Sequence, residues 1–179
     1  MKLDTIVEQP TVETERLILR PVRRSDAGLL GLYAGDLRVA VATRNIPHPL
    51  PPGAVEALIA RATTDARTED AWVIDGAAAG LGEVLGLITL ERMDQGQSEI
   101  RYWVAPAFWN TGIASEAVRG LVEANPHRAR TIFAEVFQDN PVSARVLTNA
   151  GFDYLGDAEA FSVARNAKVC TWTYLRRMD

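Results

Sequence analysis

The residues Trp109-Asn110-Thr111-Gly112-Ile113-Ala114 carry the clearest chemical signal in this chain. They follow an apolar run rich in β-branched and aromatic side chains, Ile100-Arg101-Tyr102-Trp103-Val104, and a break at Pro106. Beyond them Ile113, Ala117, Val118, Leu121 and Val122 recur at helical spacing. A strand feeding a helix through a tight loop aims several unpaired backbone N–H groups at one point. The helix dipole adds partial positive charge there. The implied chemistry is a seat for phosphate, with an ordinary strand-to-helix turn as the plainer alternative. Neither Gly-x-x-x-x-Gly-Lys-Ser/Thr nor a tandem Gly-x-Gly-x-x-Gly occurs, which speaks against a nucleotide enzyme. With two separated histidines and one cysteine, no metal ligand spacing is present and no metal is expected.

On these residues the chain resembles the GCN5-related N-acetyltransferases (the GNAT family), and within them the RimJ/RimL-type branch. Tyr102, Trp103, Pro106, Trp109, Gly112, Ala114, Glu116 and Ala117 fit the branch's loop pattern. Asn110 stands where the branch usually has Gly, and Asn is the non-glycine residue best suited to a left-handed backbone. A second match is Asn140-Pro141-Val142-Ser143-Ala144-Arg145-Val146-Leu147, followed by Gly151-Phe152. Glu13-Thr14-Glu15-Arg16-Leu17-Ile18-Leu19-Arg20-Pro21 resembles the branch's entry strand, and Ile46-Pro47-His48-Pro49-Leu50-Pro51-Pro52 its proline-rich loop. The likeness runs through nearly the whole chain in order.

The resemblance implies acetyl-CoA as co-substrate and direct transfer of the acetyl group to a primary amine in a ternary complex. Such chemistry needs a proton taken from the amine, a stabilised oxyanion and a proton delivered to the departing thiolate. By resemblance, backbone groups of Val104 and Ala105 pair with the pantetheine arm. The N–H groups of Asn110, Thr111, Gly112, Ile113 and Ala114 hold the pyrophosphate. Asn140 and Ser143 meet the arm near the thioester, although Asn140 before Pro141 also reads as a helix cap. Glu99 is the first choice for the base and Glu91 a weaker one. Strand alternation places Glu99, Arg101 and Trp103 on one face, so an ion pair between Glu99 and Arg101 is an equal reading that would blunt the base. Ser143 is the candidate proton donor, with simple cofactor contact as the alternative, and Tyr174 reads rather as a core aromatic. Cys170 lacks the neighbours that would activate a nucleophile. A non-catalytic acyl-CoA-binding sensor or interaction module is the rival class, and Arg101 is its best support.

The elements that must position these groups read as alternating strands and helices. Strands are expected at residues 17–19, 71–74, 84–90, 99–104, 131–137, 152–155 and 169–175. Helices are expected at 27–33, behind an N-cap at Ser25-Asp26, at 51–66, after the loop, and at 141–150 between Pro141 and Gly151. The elements read as a single α/β domain over residues 1–179, and the resemblance implies a central, mostly antiparallel mixed sheet, splayed at the acetyl-CoA site and flanked by helices. At 179 residues and 47% hydrophobic content the chain can bury a full core. No run approaches the roughly 18 apolar residues of a membrane span. The start, MKLDTIVEQP, lacks the apolar run of a leader, and one cysteine suits a reducing compartment, so a cytoplasmic location is expected. A net charge of −4 argues against a nucleic-acid partner and is compatible with a cationic amine. A homodimer is common in the branch. His48 is expected near the acceptor entrance, His127 in solvent, and Arg16, Arg20, Arg23 and Arg24 on a solvated face.

Overall fold

The computed structural model describes residues 9–179. Most of the leader reading falls on residues outside that range. Five strands follow one another as antiparallel neighbours: β1 (Val12–Glu13), β2 (Ile18–Pro21), β3 (Glu69–Asp75), β4 (Gly86–Arg92) and β5 (Gln97–Val104). β6 (Thr131–Phe137) joins β5 in parallel, and the hairpin of β7 (Asp153–Ser162) and β8 (Ala167–Arg177) completes the sheet in the order β1-β2-β3-β4-β5-β6-β8-β7. Helices α1 (Ala27–Ala34), α2 (Leu37–Ala42), α3 (Ala54–Ala62), α4 (Ile113–Ala124) and α5 (Pro141–Asn149) flank it. This is the mixed, splayed sheet that the sequence implies.

Alternating side chains divide the core between the two faces of the sheet. Ile74, Ile88, Leu90 and Ile100 meet Ile113, Ala117, Val118, Leu121 and Val122 of α4 on one face. Full burial of each larger member contributes roughly 1.5–3 kcal/mol. On the other face Val73 and Leu87 meet Leu30 of α1 and Val55 and Ile59 of α3.

The feature that makes a site is the brevity of the parallel ladder. β5 and β6 pair only at Gln97↔Thr131, Ser98↔Ile132 and Glu99↔Phe133, whereas β6 stays paired with β8 as far as Phe137↔Thr171. Past Glu99 the two strands part and leave a wedge. Its closed end is pinned by a buried chain of polar groups. His127 Nδ1 lies 2.9 Å from Ser98 Oγ and Nε2 lies 2.7 Å from Asp70 Oδ2, both on buried partners. His127 is therefore not in solvent. The left-handed Asn125 exchanges two hydrogen bonds with Ala129, and this tight turn folds the imidazole inward. Asp70 also takes ion pairs from Arg67 (2.6 Å) and Arg92 (3.3 Å). Burial works to raise its pKa, but the His127 and Arg67 hydrogen bonds prevail and hold it below the ordinary carboxylate value.

Two further expectations change. Arg20 is buried rather than solvated: its guanidinium grips Asp26 at 2.8 and 2.9 Å and Asp75 at 2.9 Å. Asp26 consequently serves this pair, and accepts from the Arg23 N–H at 2.9 Å, instead of capping α1 with its side chain. The short helix α2 and strand β1 are additional elements. Leu37-Arg38-Val39-Ala40-Val41-Ala42 has strand-like β-branching, but Asp36 caps it by accepting from the Arg38 N–H, and Val39 and Ala40 are buried.

The Arg20–Asp26 pair yields a stability test. Burial pushes the Asp26 carboxyl up, yet the hydrogen bonds from Arg20 and the Arg23 N–H leave it below its ordinary value. A depressed folded pKa gives stability that is complete above about pH 4 and is lost as pH falls through the folded value. Asp26→Asn should cost about 3–5 kcal/mol at neutral pH. Urea titrations should show the variant losing less stability than the parent between pH 6 and about pH 3.

Candidate active site

At the mouth of the wedge, β5 passes through Pro106-Ala107-Phe108 into the loop ahead of α4. Asn110 has φ 61° and Gly112 φ 78°, so both occupy the left-handed region that the sequence led us to expect. The first helical bond of α4 runs from the Glu116 N–H to the Gly112 carbonyl at 3.0 Å. Among the described residues the N–H groups of Asn110, Thr111, Gly112, Ile113 and Ala114 have no acceptor. Such a row at a helix start is suited to an anion. The loop is braced from behind. Arg16 donates through Nη1 to the Thr111 carbonyl (3.0 Å) and through Nε to Glu116 (2.7 Å), and Glu116 also accepts from the Arg16 N–H and from Thr14. Burial acts to raise the Glu116 pKa, but these donors keep it below the ordinary value.

Of Val104 and Ala105, the two residues expected to pair with a pantetheine arm, Ala105 has both backbone groups engaged within the fold. Ala105 spends its N–H on Leu85 (2.8 Å), and its carbonyl accepts from Phe108 (2.9 Å). The Val104 carbonyl accepts from Trp109 Nε1 at 2.7 Å. Antiparallel pairing turns the Ala105 N–H toward β4, so its neighbour Val104 directs its N–H into the wedge. Ser143, in the first turn of α5, faces Tyr102: their hydroxyls lie 2.7 Å apart, and Tyr102 also donates to the Ser143 carbonyl at 3.1 Å. Burial drives the Tyr102 pKa well above its ordinary value despite that hydrogen bond, so the phenol holds its proton. Tyr102 was legible only as a loop-pattern residue, and its pairing with Ser143 depends on a contact across 41 positions. Asn140 makes no side-chain cap to α5, and it lines the cleft beside Ser143.

The cleft between β5 and β6 has a volume of about 150 Å³ and is bounded by Arg101, Tyr102, Trp103, Glu135, Val136 and Phe137 from those strands. Its other end is charged: Arg44, Glu69, Arg101 and Glu135 line it, and Glu99 stands outside that lining. Glu99 has both oxygens engaged, Oε1 by Arg44 at 2.6 Å and Oε2 by Arg101 at 3.1 Å. The ion pair that alternation allowed is thus present, with a second guanidinium added. Arg101 also reaches Glu69 and Glu91, each at 2.9 Å, and Arg44 reaches Glu135 at 3.2 Å. Burial works against the charge on Arg101, but these carboxylates, Glu99 foremost, raise its pKa. Arg44 and Glu135 had no local signal, because only the tertiary fold brings the end of α2 to β6. Trp103 lines the cleft, whereas His48 is exposed and does not. Tyr174 is buried in the core, and its ring meets that of the exposed Tyr154 with centroids 5.9 Å apart.

A sheet opened beside a helix start, with free N–H groups at one end and carboxylates at the other, has the form of an acyl-CoA-dependent transferase. The chain matches the Acetyltransferase (GNAT) domain over residues 16–153, and it belongs to that family. No curated protein sequence matches it significantly. Solved structures resemble it closely in fold. The ribosomal-protein-S5-alanine acetyltransferase of Vibrio fischeri is 18% identical with a TM-score of 0.79, covering 96% of this chain and 98% of that one. Mycobacterium smegmatis RimJ in complex with CoA-disulfide is 21% identical with a TM-score of 0.79, covering 96% and 88%. The spermidine N-acetyltransferase of Vibrio cholerae, in complex with CoA and spermine, is 17% identical with a TM-score of 0.76, covering 92% and 96%. Among the described residues no three His, Cys, Asp or Glu side chains gather as a metal site, and no helix is long and apolar enough to cross a membrane.

The loop assignment can be tested at Gly112. A side chain there is strained by its positive φ, and a Cβ would stand 3.4 Å from Arg16 Nη2. Gly112→Asp adds strain of about 1 kcal/mol and places negative charge among the free N–H groups. Acetyl-CoA affinity measured by calorimetry should fall by roughly tenfold or more, with the protein still folded by circular dichroism.

Proposed function

We propose that the protein is an acetyl-CoA-dependent N-acetyltransferase that passes an acetyl group directly to a primary amine in a ternary complex. The observation that carries this reading is the row of acceptor-free N–H groups from Asn110 to Ala114 at the mouth of a wedge that already contains Tyr102 and Ser143. In this reading the N–H groups of Asn110, Thr111, Gly112, Ile113 and Ala114 bind the pyrophosphate, and the Val104 N–H orients the pantetheine arm with help from Asn140. Family membership supports the same co-substrate.

Glu99 takes the proton of the attacking amine, directly or through water. The nitrogen then bonds to the thioester carbon as the carbon–sulfur bond breaks. Ser143 passes its hydroxyl proton to the sulfur and regains one from solvent, while Tyr102, which keeps its own proton, stays hydrogen-bonded to the Ser143 oxygen. Around the acceptor end, Glu69, Glu91, Glu99 and Glu135 outnumber Arg44 and Arg101, an excess of negative charge that favours a cationic amine. That amine is a small molecule or a protein N-terminus, the two acceptor types of the RimJ/RimL-type branch. We take residues 1–179 as one such domain acting in the cytoplasm, as a monomer or a homodimer.

A second reading has one specific observation in its favour. Both oxygens of Glu99 are held by arginines, as suits a binding module that senses acyl-CoA without transferring the group. Calorimetry with acetyl-CoA, CoA and ATP, followed by thiol release with spermidine and with short peptides as acceptors, separates the two. Micromolar binding selective for the CoA compounds together with amine-dependent thiol release supports the enzyme. Binding without release supports the sensor, and no binding removes both. With an active acceptor in hand, Glu99→Gln should lower kcat by about 100-fold. Acetyl-CoA affinity should stay unchanged, and an unaltered kcat and pH profile would sink the assignment of the base.

A further inference from the structure

The two walls of the cleft belong to segments far apart in the chain. One wall follows α2, where Ala42, Thr43 and Arg44 line the cavity, and the other contains Asn140 and Ser143. A single side chain joins them from outside. Arg165, in the turn between β7 and β8, donates through Nε (3.1 Å) and Nη2 (2.7 Å) to the Val41 carbonyl. The same guanidinium grips both oxygens of Asp139, which directly precedes Asn140, and lies 4.8 Å from the Phe137 ring centroid. Next to it the Val163 N–H donates to the Arg44 carbonyl at 3.0 Å, and Ser162 Oγ accepts from the Arg165 N–H at 3.3 Å. The planar fork is what permits carboxylate, carbonyl and ring contacts together, and an ammonium cannot reproduce them. The guanidinium hydrogen bonds also keep Asp139 charged, with its pKa below the ordinary value.

We propose that Arg165 is a positioning residue that couples cofactor binding to the acceptor side: fixing the Asp139–Ser143 wall fixes residues 41–45 and so sets Arg44 between Glu99 and Glu135. The inference rests on the acetyl-CoA reading above. Asn140, whose side chain caps nothing, is the contact through which a bound pantetheine arm orders Asp139. Asp139 then holds Arg165, Arg165 holds the Val41 carbonyl, and the Val163–Arg44 bond completes the strap. Arg44 in turn is the group that either covers Glu99 or yields it to an amine. Linkage makes the effect reciprocal: an acceptor that orders residues 41–45 strengthens acetyl-CoA binding by the same factor.

Hydrogen exchange of the wild-type protein with and without saturating acetyl-CoA tests this directly. Val163 lies outside the lining of the cleft, so a ligand that merely covers the cavity leaves its amide alone. Exchange at Val163, and in peptides spanning residues 41–45, should slow roughly tenfold when acetyl-CoA binds. Arg165→Lys, which keeps charge and bulk but loses the fork, should still bind acetyl-CoA while that slowing disappears. Asp139→Asn should reduce it in the same direction. Acetyl-CoA binding with unaltered exchange at Val163, or full slowing retained in Arg165→Lys, overturns the coupling and leaves the acetyl-CoA reading intact. A wild-type protein that gives no binding heat removes that reading, and the coupling with it.

Discussion

A parallel ladder of three residue pairs governs this molecule. While β5 and β6 run together their backbone groups satisfy each other. Once they part, the edge of β5 that faced β6 keeps its polar groups but loses their partners. Unpaired backbone groups inside a fold demand new partners, and the molecule supplies one from within. Trp109 takes the Val104 carbonyl, Tyr102 and Ser143 link strand to helix across the gap, and the remaining N–H groups face the cleft. A wedge of this kind must not close by strand pairing. The buried Ser98–His127–Asp70 chain sits at its base, beside the last paired residues of the two strands.

The charges follow the same geometry. At one end of the wedge the start of α4 presents partial positive charge, reinforced by Arg16 behind the loop. At the other end carboxylates from β3, β4, β5 and β6 converge on two guanidinium groups. In the proposed reaction an anionic co-substrate and a cationic amine enter from opposite ends, and their reacting ends meet near Tyr102 and Ser143. The carboxylate network is costly to desolvate, and arginine rather than lysine holds it because one planar fork can serve several acceptors.

What the sequence made legible was local. Asn110 and Gly112 announced a left-handed loop by type alone, and the α4 stripe from Ile113 to Val122 announced a helix by its period. Thr131–Phe137 reads as a strand because β-branched and aromatic side chains dominate it. Alternation put Glu99 and Arg101 on one face and so allowed their ion pair as one of two equal readings. Contacts across long loops were not legible. Nothing near Arg44 indicates that it meets Glu99 55 positions away, nor does anything near His127 indicate that it turns inward to Asp70. The β-branched residues of α2 argue for a strand, and burial of Val39 against the rest of the fold overrides them. Likewise Arg20 resembles its surface neighbours in type and differs only in the two aspartates that the fold places around it.

Gly86 pairs with Val104 where β4 runs beside the diverging strand, and a Cβ on it would fall 2.1 Å from the Trp103 carbonyl oxygen. Backbone, not a flexible side chain, would have to move. In a saturation survey of this gene, position 86 would therefore reject every replacement as firmly as a residue that touches substrate. It would do so for crowding alone. Intolerance to change in this protein thus marks where two strands come too near each other as well as where chemistry happens, and the two causes sit within one residue pair of the cleft.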